Sequence, residues 1–154
     1  MTPFLWFDHE AEEAARFYTS VFKNSRITQV THNGDAGHGP KGSVMIVAFE
    51  LEGQKFTALN GGPAFKFTEA VSFVVNCESQ SEVDEMWEKL SAGGKEIECG
   101  WVKDKFGLSW QIVPIVLFEM MQDRSPERKE RVMQAMLQMK KLEIAGLDAA
   151  YKQQ

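Results

Sequence analysis

The sequence predicts an α+β domain made of an internal repeat of one strand, one helix and two or three further strands, with one helix standing outside the repeat. Three observations lead there. Apolar residues switch between strand-like spacing and the three- and four-residue steps of a helix. The same order of elements recurs at an offset of 69 residues, and a Ser125-Pro126 start opens a last amphipathic stretch. With 154 residues, 44% of them hydrophobic, the chain can bury one core of ordinary size, so a single domain over 1–154 is expected.

Thr2 to Phe7 is short, apolar and aromatic, as suits a buried strand, and Asp8 closes it. From Glu10 to Phe22, Ala11, Ala14, Ala15, Tyr18, Val21 and Phe22 recur at helical spacing, with Asp8 as the expected cap. Ile27 to His32 reads as a strand. Residues 33–42 hold four glycines and a proline among polar side chains and read as a mobile loop. Ser43 to Leu51 and Gln54 to Leu59 are strands around a tight Glu52-Gly53 turn, and a second loop follows at Asn60-Gly61-Gly62-Pro63.

The order then repeats. Val71 to Val75 is a strand, and Ser79-Gln80-Ser81-Glu82 has the form of a capping box. Its helix carries Val83, Met86, Trp87 and Leu90 on one face and stops at Gly93-Gly94. Glu96 to Lys103 and Leu108 to Val113 follow as strands joined by a turn at Asp104 to Gly107. The offset sets Phe4 on Phe73, Ala14 on Val83, Phe17 on Met86, Tyr18 on Trp87 and Val21 on Leu90. The first module spans about 1–62, the second about 68–116, and the last helix about 125–146. That helix shows Val132, Met133, Met136, Leu137 and Met139, a face that packs on the repeat or meets a second subunit.

Lys plus Arg is 17 and Asp plus Glu is 22, a net charge of −5, which lacks the cationic surplus that nucleic acid needs. No apolar run approaches the ~20 residues that span a bilayer, and the first residues form no leader-like segment. A cytoplasmic protein without membrane or nucleic-acid partners is expected. Cys77 and Cys99 match no metal-binding pair and read as reduced and structural.

Four stretches together resemble one family: Phe4-Leu5-Trp6-Phe7-Asp8, the run from Ala11 to Tyr18, Leu59-Asn60-Gly61-Gly62-Pro63, and the run from Gly100 to Pro114. They are similar to the PhnB-like branch of the glyoxalase and bleomycin-resistance (vicinal oxygen chelate) superfamily. The resemblance covers nearly the whole chain. It implies two βαβββ modules forming a cupped mixed sheet around a pocket, in a homodimer. The branch is commonly labelled 3-demethylubiquinone-9 3-methyltransferase. A doubly wound methyltransferase holds its cofactor on a glycine-rich turn between strand and helix, and no glycine cluster sits at such a turn here.

Active members of the superfamily place His, Gln and Glu ligands on matching strands around a divalent metal. By resemblance the glutamate position falls on Gln111, the histidine positions near Pro3 to Phe4 and Val71 to Ser72, and the third strand-end position near Thr57 to Leu59. One neutral amide is a poor holder of a hard cation, so neither a family metal nor any other cofactor is expected. His9 starts the first helix, and His32 and His38 flank the glycine-rich loop; lone loop histidines are mostly solvated, although His32, His38 and Asp35 form a cluster if the loop folds inward. A reactive Cys77 at a helix entrance competes with its reading as a small buried side chain.

The aromatic residues concentrate on strands and loops that would line the cup. Trp6, Trp101 and Trp110, with Asn60 and Gln111, are the expected ligand-binding residues. Lys103 and Asp104 are further polar candidates at a hairpin end. No residue is designated catalytic. The expected function is binding of a small aromatic or hydrophobic molecule without the family metal. The alternatives are a small-molecule enzyme (lyase, isomerase or the methyltransferase of the family label) and a functional dimer surface. His32 and His38 pointing into the cup favour chemistry.

Overall fold

A computed structural model describes residues 1–153, which divide into two units, Met1–Phe67 and the residues from Thr68 onward.

The first unit begins with β1 (Phe4–Phe7) and α1 (Ala11–Val21). Three alanines, Ala11, Ala14 and Ala15, are fully buried beside Tyr18 and Val21, and their small side chains let α1 lie close on the sheet. That sheet contains β2 (Arg26–His32), β3 (Val44–Leu51) and β4 (Gln54–Asn60) in the order β1-β4-β3-β2, with β1 parallel to β4 and the other pairs antiparallel. Register sets Phe49 opposite Phe56, and the two rings stack with centroids 5.4 Å apart under Tyr18. Glu52 and Gly53 both take positive φ (49° and 83°), the twist that a two-residue hairpin requires.

Asp8 does not cap α1. The N-cap is Glu10, whose side chain makes no cap bond, and the Ala11 N–H is instead satisfied by Asn60 Oδ1 at 2.8 Å. The glycine-rich stretch read as a mobile loop is organised about Asn33, which is 7% exposed. Asn33 exchanges backbone hydrogen bonds with Ser43 and Gly42 and donates Nδ2 to Ser43 Oγ at 3.0 Å. A Cβ on Gly37 or Gly39 would lie 2.5 or 2.7 Å from the Asn33 side chain, so the glycines here serve close packing.

In the second unit β5 (Ser72–Cys77) leads into α2 (Gln80–Ser91). Ser79 Oγ accepts from the Glu82 N–H, while Glu82 Oε2 accepts from the Glu78 N–H. Gly93, at φ 72°, follows the helix. The expected strand from Glu96 to Lys103 is broken into β6 (Lys95–Glu96) and β7 (Trp101–Lys103), because Cys99 and Gly100 turn left-handed between them (φ 59° and 82°). With β8 (Ser109–Pro114) they form the order β5-β8-β7-β6, β5 parallel to β8. Each unit therefore holds a four-stranded mixed sheet backed by a helix.

The expected helix over 125–146 is two helices, and a third precedes it. These are α3 (Ile115–Met121), α4 (Pro126–Leu137) and α5 (Ile144–Lys152). Ser125 caps α4 with Pro126 inside the first turn. Beyond Leu137 the Gln138 and Met139 N–H groups still bond back to α4, while the carbonyls of Met139, Lys140 and Leu142 go to partners outside the helix. Val113, Leu117, Met120, Val132, Leu142 and Leu147 form its buried cluster, with Met121, Met136 and Met139 packed against it. Val132, Met136 and Met139 of that expected face are thus covered within their own unit, while Leu137 stays 55% exposed. No described helix is long and apolar enough to cross a membrane.

Candidate functional site

Pleating sorts the second sheet into two faces. Val75, Cys77, Trp110 and Ile112 are buried on the side of α2. Register places Val74 beside Gln111 on β8, and Gln111 beside Trp101 on β7, so these three cross the opposite face in one row. Val74 is 45% exposed, and Gln111 and Trp101 are half-buried. Gln111 Nε2 donates to Ser72 Oγ at 2.9 Å, and the amide oxygen is an acceptor. In the next row Ser109 Oγ is buried with no hydrogen-bond partner, and Lys103 pairs with Glu69. Hydrogen bonding from Lys103 holds the Glu69 carboxyl below its ordinary range. The face therefore combines an apolar-aromatic row with one neutral amide and a neutralised ion pair.

On the first sheet Trp6 pairs with Leu59, turned away from α1. Its indole N–H donates to Gly62 O at 2.9 Å, and the Phe65 ring meets it edge-on at 4.9 Å. Gly61 is required beneath that indole, since a Cβ there would fall 2.4 Å from ring carbons. Phe4 and Phe65 beside it are 58% and 65% exposed. At the end of β1 and β4 lies a cavity of about 460 Å³ lined by Asp8, His9, Asn33, His38, Ser43 and Asn60 among others. His9 Nδ1 is 3.6 Å from Asp8 Oδ2.

Of the five expected ligand-binding residues, the fold brings Trp101 and Gln111 side by side. Trp110 lies on the α2 face, 3% exposed, with its N–H donated to Asp104 Oδ2. Both ends of the Asn60 amide are committed, Oδ1 to Ala11 and Nδ2 to Val44 O at 3.0 Å. Asp104 is a turn-holder: its Oδ1 accepts from the Phe106 and Leu108 N–H groups. His38 joins His9 at the cavity, whereas His32 lies exposed on edge strand β2 and Asp35 pairs with Lys41 at 2.7 Å. Sequence reasoning missed the roles of Ser72, Val74 and Glu69. The parallel β5–β8 register would have found the first two.

The donor set does not suit a divalent cation. Among the described residues no group of three or more His, Cys, Asp or Glu side chains could hold a metal ion, and Gln111 is flanked by Val74, Trp101 and a hydroxyl. Nor do the strand-to-helix connections carry glycine: residues 8–10 are Asp-His-Glu and residues 78–79 Glu-Ser.

These features can be set beside known proteins. No curated protein matches the chain. FosX, a fosfomycin resistance protein of Listeria monocytogenes whose structure holds Mn(II) and sulfate, shares the fold with a TM-score of 0.55 at 14% identity, over 79% of this chain and 94% of its own. Protein PA1353 of Pseudomonas aeruginosa does so at 0.63 and 20%, over 74% and 96%. A PhnB protein from Bacillus cereus is 36% identical, with a TM-score of 0.68, over 74% of this chain and 98% of its own. The fold is thus that of the glyoxalase and bleomycin-resistance superfamily, and a family model described as 3-demethylubiquinone-9 3-methyltransferase matches residues 1–113. On that match and that identity, the chain belongs to the PhnB-like, 3-demethylubiquinone-9 3-methyltransferase family.

Proposed function

We propose that this protein binds a small aromatic or hydrophobic molecule on the face of its second sheet turned away from α2, without a family metal, as a cytoplasmic homodimer. The row Val74, Gln111, Trp101 carries the reading. It offers an indole to stack on, an aliphatic wall, and an amide oxygen that can accept one hydrogen bond from a hydroxyl or N–H on the ligand. Trp6, with Phe4 and Phe65, offers a second aromatic surface of the same character. The exposed rings of Phe4 and Phe65 are also apolar surface that dimer formation would cover.

A second reading, small-molecule catalysis, is favoured by one observation. His9 and His38 line the same cavity from separate loops, with Asp8 beside His9, so two imidazoles and a carboxylate face one space.

Thermal midpoints measured with quinones and small aromatics such as 2-naphthol, with S-adenosylmethionine, and with Mn²⁺, each added singly, separate the readings. A bound ligand at a hundredfold excess over its dissociation constant stabilises the fold by about 2.7 kcal/mol. A rise with an aromatic alone, lost in Trp101→Ala, is the expected result. A rise with Mn²⁺ or S-adenosylmethionine and none with any aromatic overturns it.

A further inference from the structure

The family model ends at residue 113, within β8, so α3, α4 and α5 lie beyond the part of the chain that it describes. Between α4 and α5 the chain leaves the helical path and runs along the second sheet. There Met139 O accepts from the Cys99 N–H at 2.8 Å and Lys140 O from the Gly100 N–H at 2.7 Å. Two residues on, the Gln80 side chain reads both polarities of the same backbone. Its Nε2 donates to Leu142 O at 3.1 Å, and its Oε1 accepts from the Ile144 N–H at 2.7 Å. Lys141 adds an ion pair to Asp84 at 2.6 Å, which raises the Lys141 pKa.

The residues held in this way are the two that break the strand before Trp101. Cys99 takes φ 59°, a conformation that costs a non-glycine residue free energy and persists only where the surroundings fix it. Gly100 follows at φ 82° and passes its own carbonyl to the Ile112 N–H at 2.7 Å, tying the turn to β8 beside Gln111. A Cβ on Gly100 would fall 2.9 Å from Ile112 O and 3.1 Å from Leu142 side-chain carbons, so the turn is closed between β8 and the tail without room for adjustment. Leu142 itself is 1% exposed.

We infer that the C-terminal extension is a positioning element for the Trp101 side of the candidate site: residues 139–142, held by Gln80, fix the left-handed turn at Cys99 and Gly100 and so set where the Trp101 indole stands relative to Gln111. The site function rests on the binding reading above; the placement of Trp101 does not. Leu142 and Gln80 are positioning residues, since neither lies on the Trp101 face.

The test uses the full chain labelled with 5-fluorotryptophan, with the Trp101 fluorine signal assigned by its loss in Trp101→Phe. Gln80→Met keeps the side-chain length and removes both hydrogen bonds to the tail; Leu142→Ala hollows the contact itself. In both variants the Trp101 resonance is expected to move or broaden beyond its linewidth while Trp6 stays in place. Affinity for 2-naphthol should weaken by roughly threefold or more, a modest change on the affinity scale. A fall in thermal midpoint with the Trp101 resonance unmoved in both variants would reduce the tail to a stabilising element and overturn the inference. If 2-naphthol perturbs no tryptophan in the parent protein, the aromatic-ligand reading fails by itself, and the Trp101 resonance still decides the positioning role.

Discussion

The Trp110 indole N–H donates to Asp104 Oδ2 at 2.9 Å, and the other oxygen of that carboxylate accepts from the backbone N–H groups of Phe106 and Leu108. A single side chain, 2% exposed, thus closes the β7–β8 turn and orients the indole beneath the sheet. Asp104→Ala removes the acceptor of three hydrogen bonds, two of them buried, and is expected to destabilise the fold by about 3 kcal/mol in urea unfolding. Asp104→Asn keeps the turn contacts and sets an amide N–H₂ against the indole N–H, so its loss should fall between parent and alanine variant.

Asn60 joins the first helix to the sheet across 49 residues of sequence. Its replacement by alanine orphans the Ala11 N–H and Val44 O together, and urea midpoints should report a loss of about 1 to 2 kcal/mol. Asn60→Asp retains an acceptor for Ala11 and presents a carboxylate to Val44 O. It should therefore be less stable than the parent despite the better charge for a helix start. Asp8→Ala, in contrast, should leave stability within about 0.5 kcal/mol, because the Asp8 side chain does not cap α1.

Tyr151 donates its hydroxyl to Asp123 Oδ2, fastening α5 to the α3–α4 connection, with Arg128 and the Ser125 N–H at the same carboxylate. The Tyr151 hydrogen bond, then that of Ser125 and the Arg128 charge, hold the Asp123 pKa below its ordinary value. A carboxyl lowered in the folded state binds its proton more readily when unfolded. Its stabilisation is complete above the unfolded value of about 3.9 and is lost as pH falls through the folded value. Thermal midpoints of parent and Tyr151→Phe should differ at pH 7 and converge below about pH 4.

Gln111→Glu places an anionic oxygen at the position where the superfamily resemblance puts a metal-binding glutamate. Its neighbours Val74, Trp101 and Ser72 add no second charged ligand. Mn²⁺ should leave the thermal midpoint of Gln111→Glu as unmoved as that of the parent, and a rise in the variant would show that further ligands converge there.

Most of the fold was legible because its signals are local. The alanine and tyrosine steps of α1, the Glu52-Gly53 hairpin, the Ser79 cap and the Ser125-Pro126 start each need only a few neighbouring residues, and each stands where pattern placed it. What escaped was decided at long range. Asn60 in place of Asp8 serves α1 from 49 residues away, and the tail leaves its helix at Leu137 for partners at Gln80, Cys99 and Gly100. Short stretches of sequence contain neither trade. At the candidate site, Trp101 and Gln111 came from motif, while Ser72 and Val74 needed the parallel register of β5 on β8, which depends on where α2 returns the chain. The two faces of β8 also separated Trp110 from Gln111, a distinction that adjacency in sequence always carries in a strand and that requires knowing which face is covered.

The two sheets are also unequal at their borders. β2 carries register shifts at Ile27/Gln29 and Thr31/His32, and β6 is two residues long, so one border of each sheet is too irregular or too brief to template a neighbour. The opposite borders, β1 and β5, are unbroken runs of four and six residues. Taken sheet by sheet, a further strand, whether in ordered assembly or in aggregation from a partly unfolded state, finds the regular ladder at β1 or β5. A lysine or proline placed on β1 or β5 would guard against aggregation more than the same change on the two-residue β6.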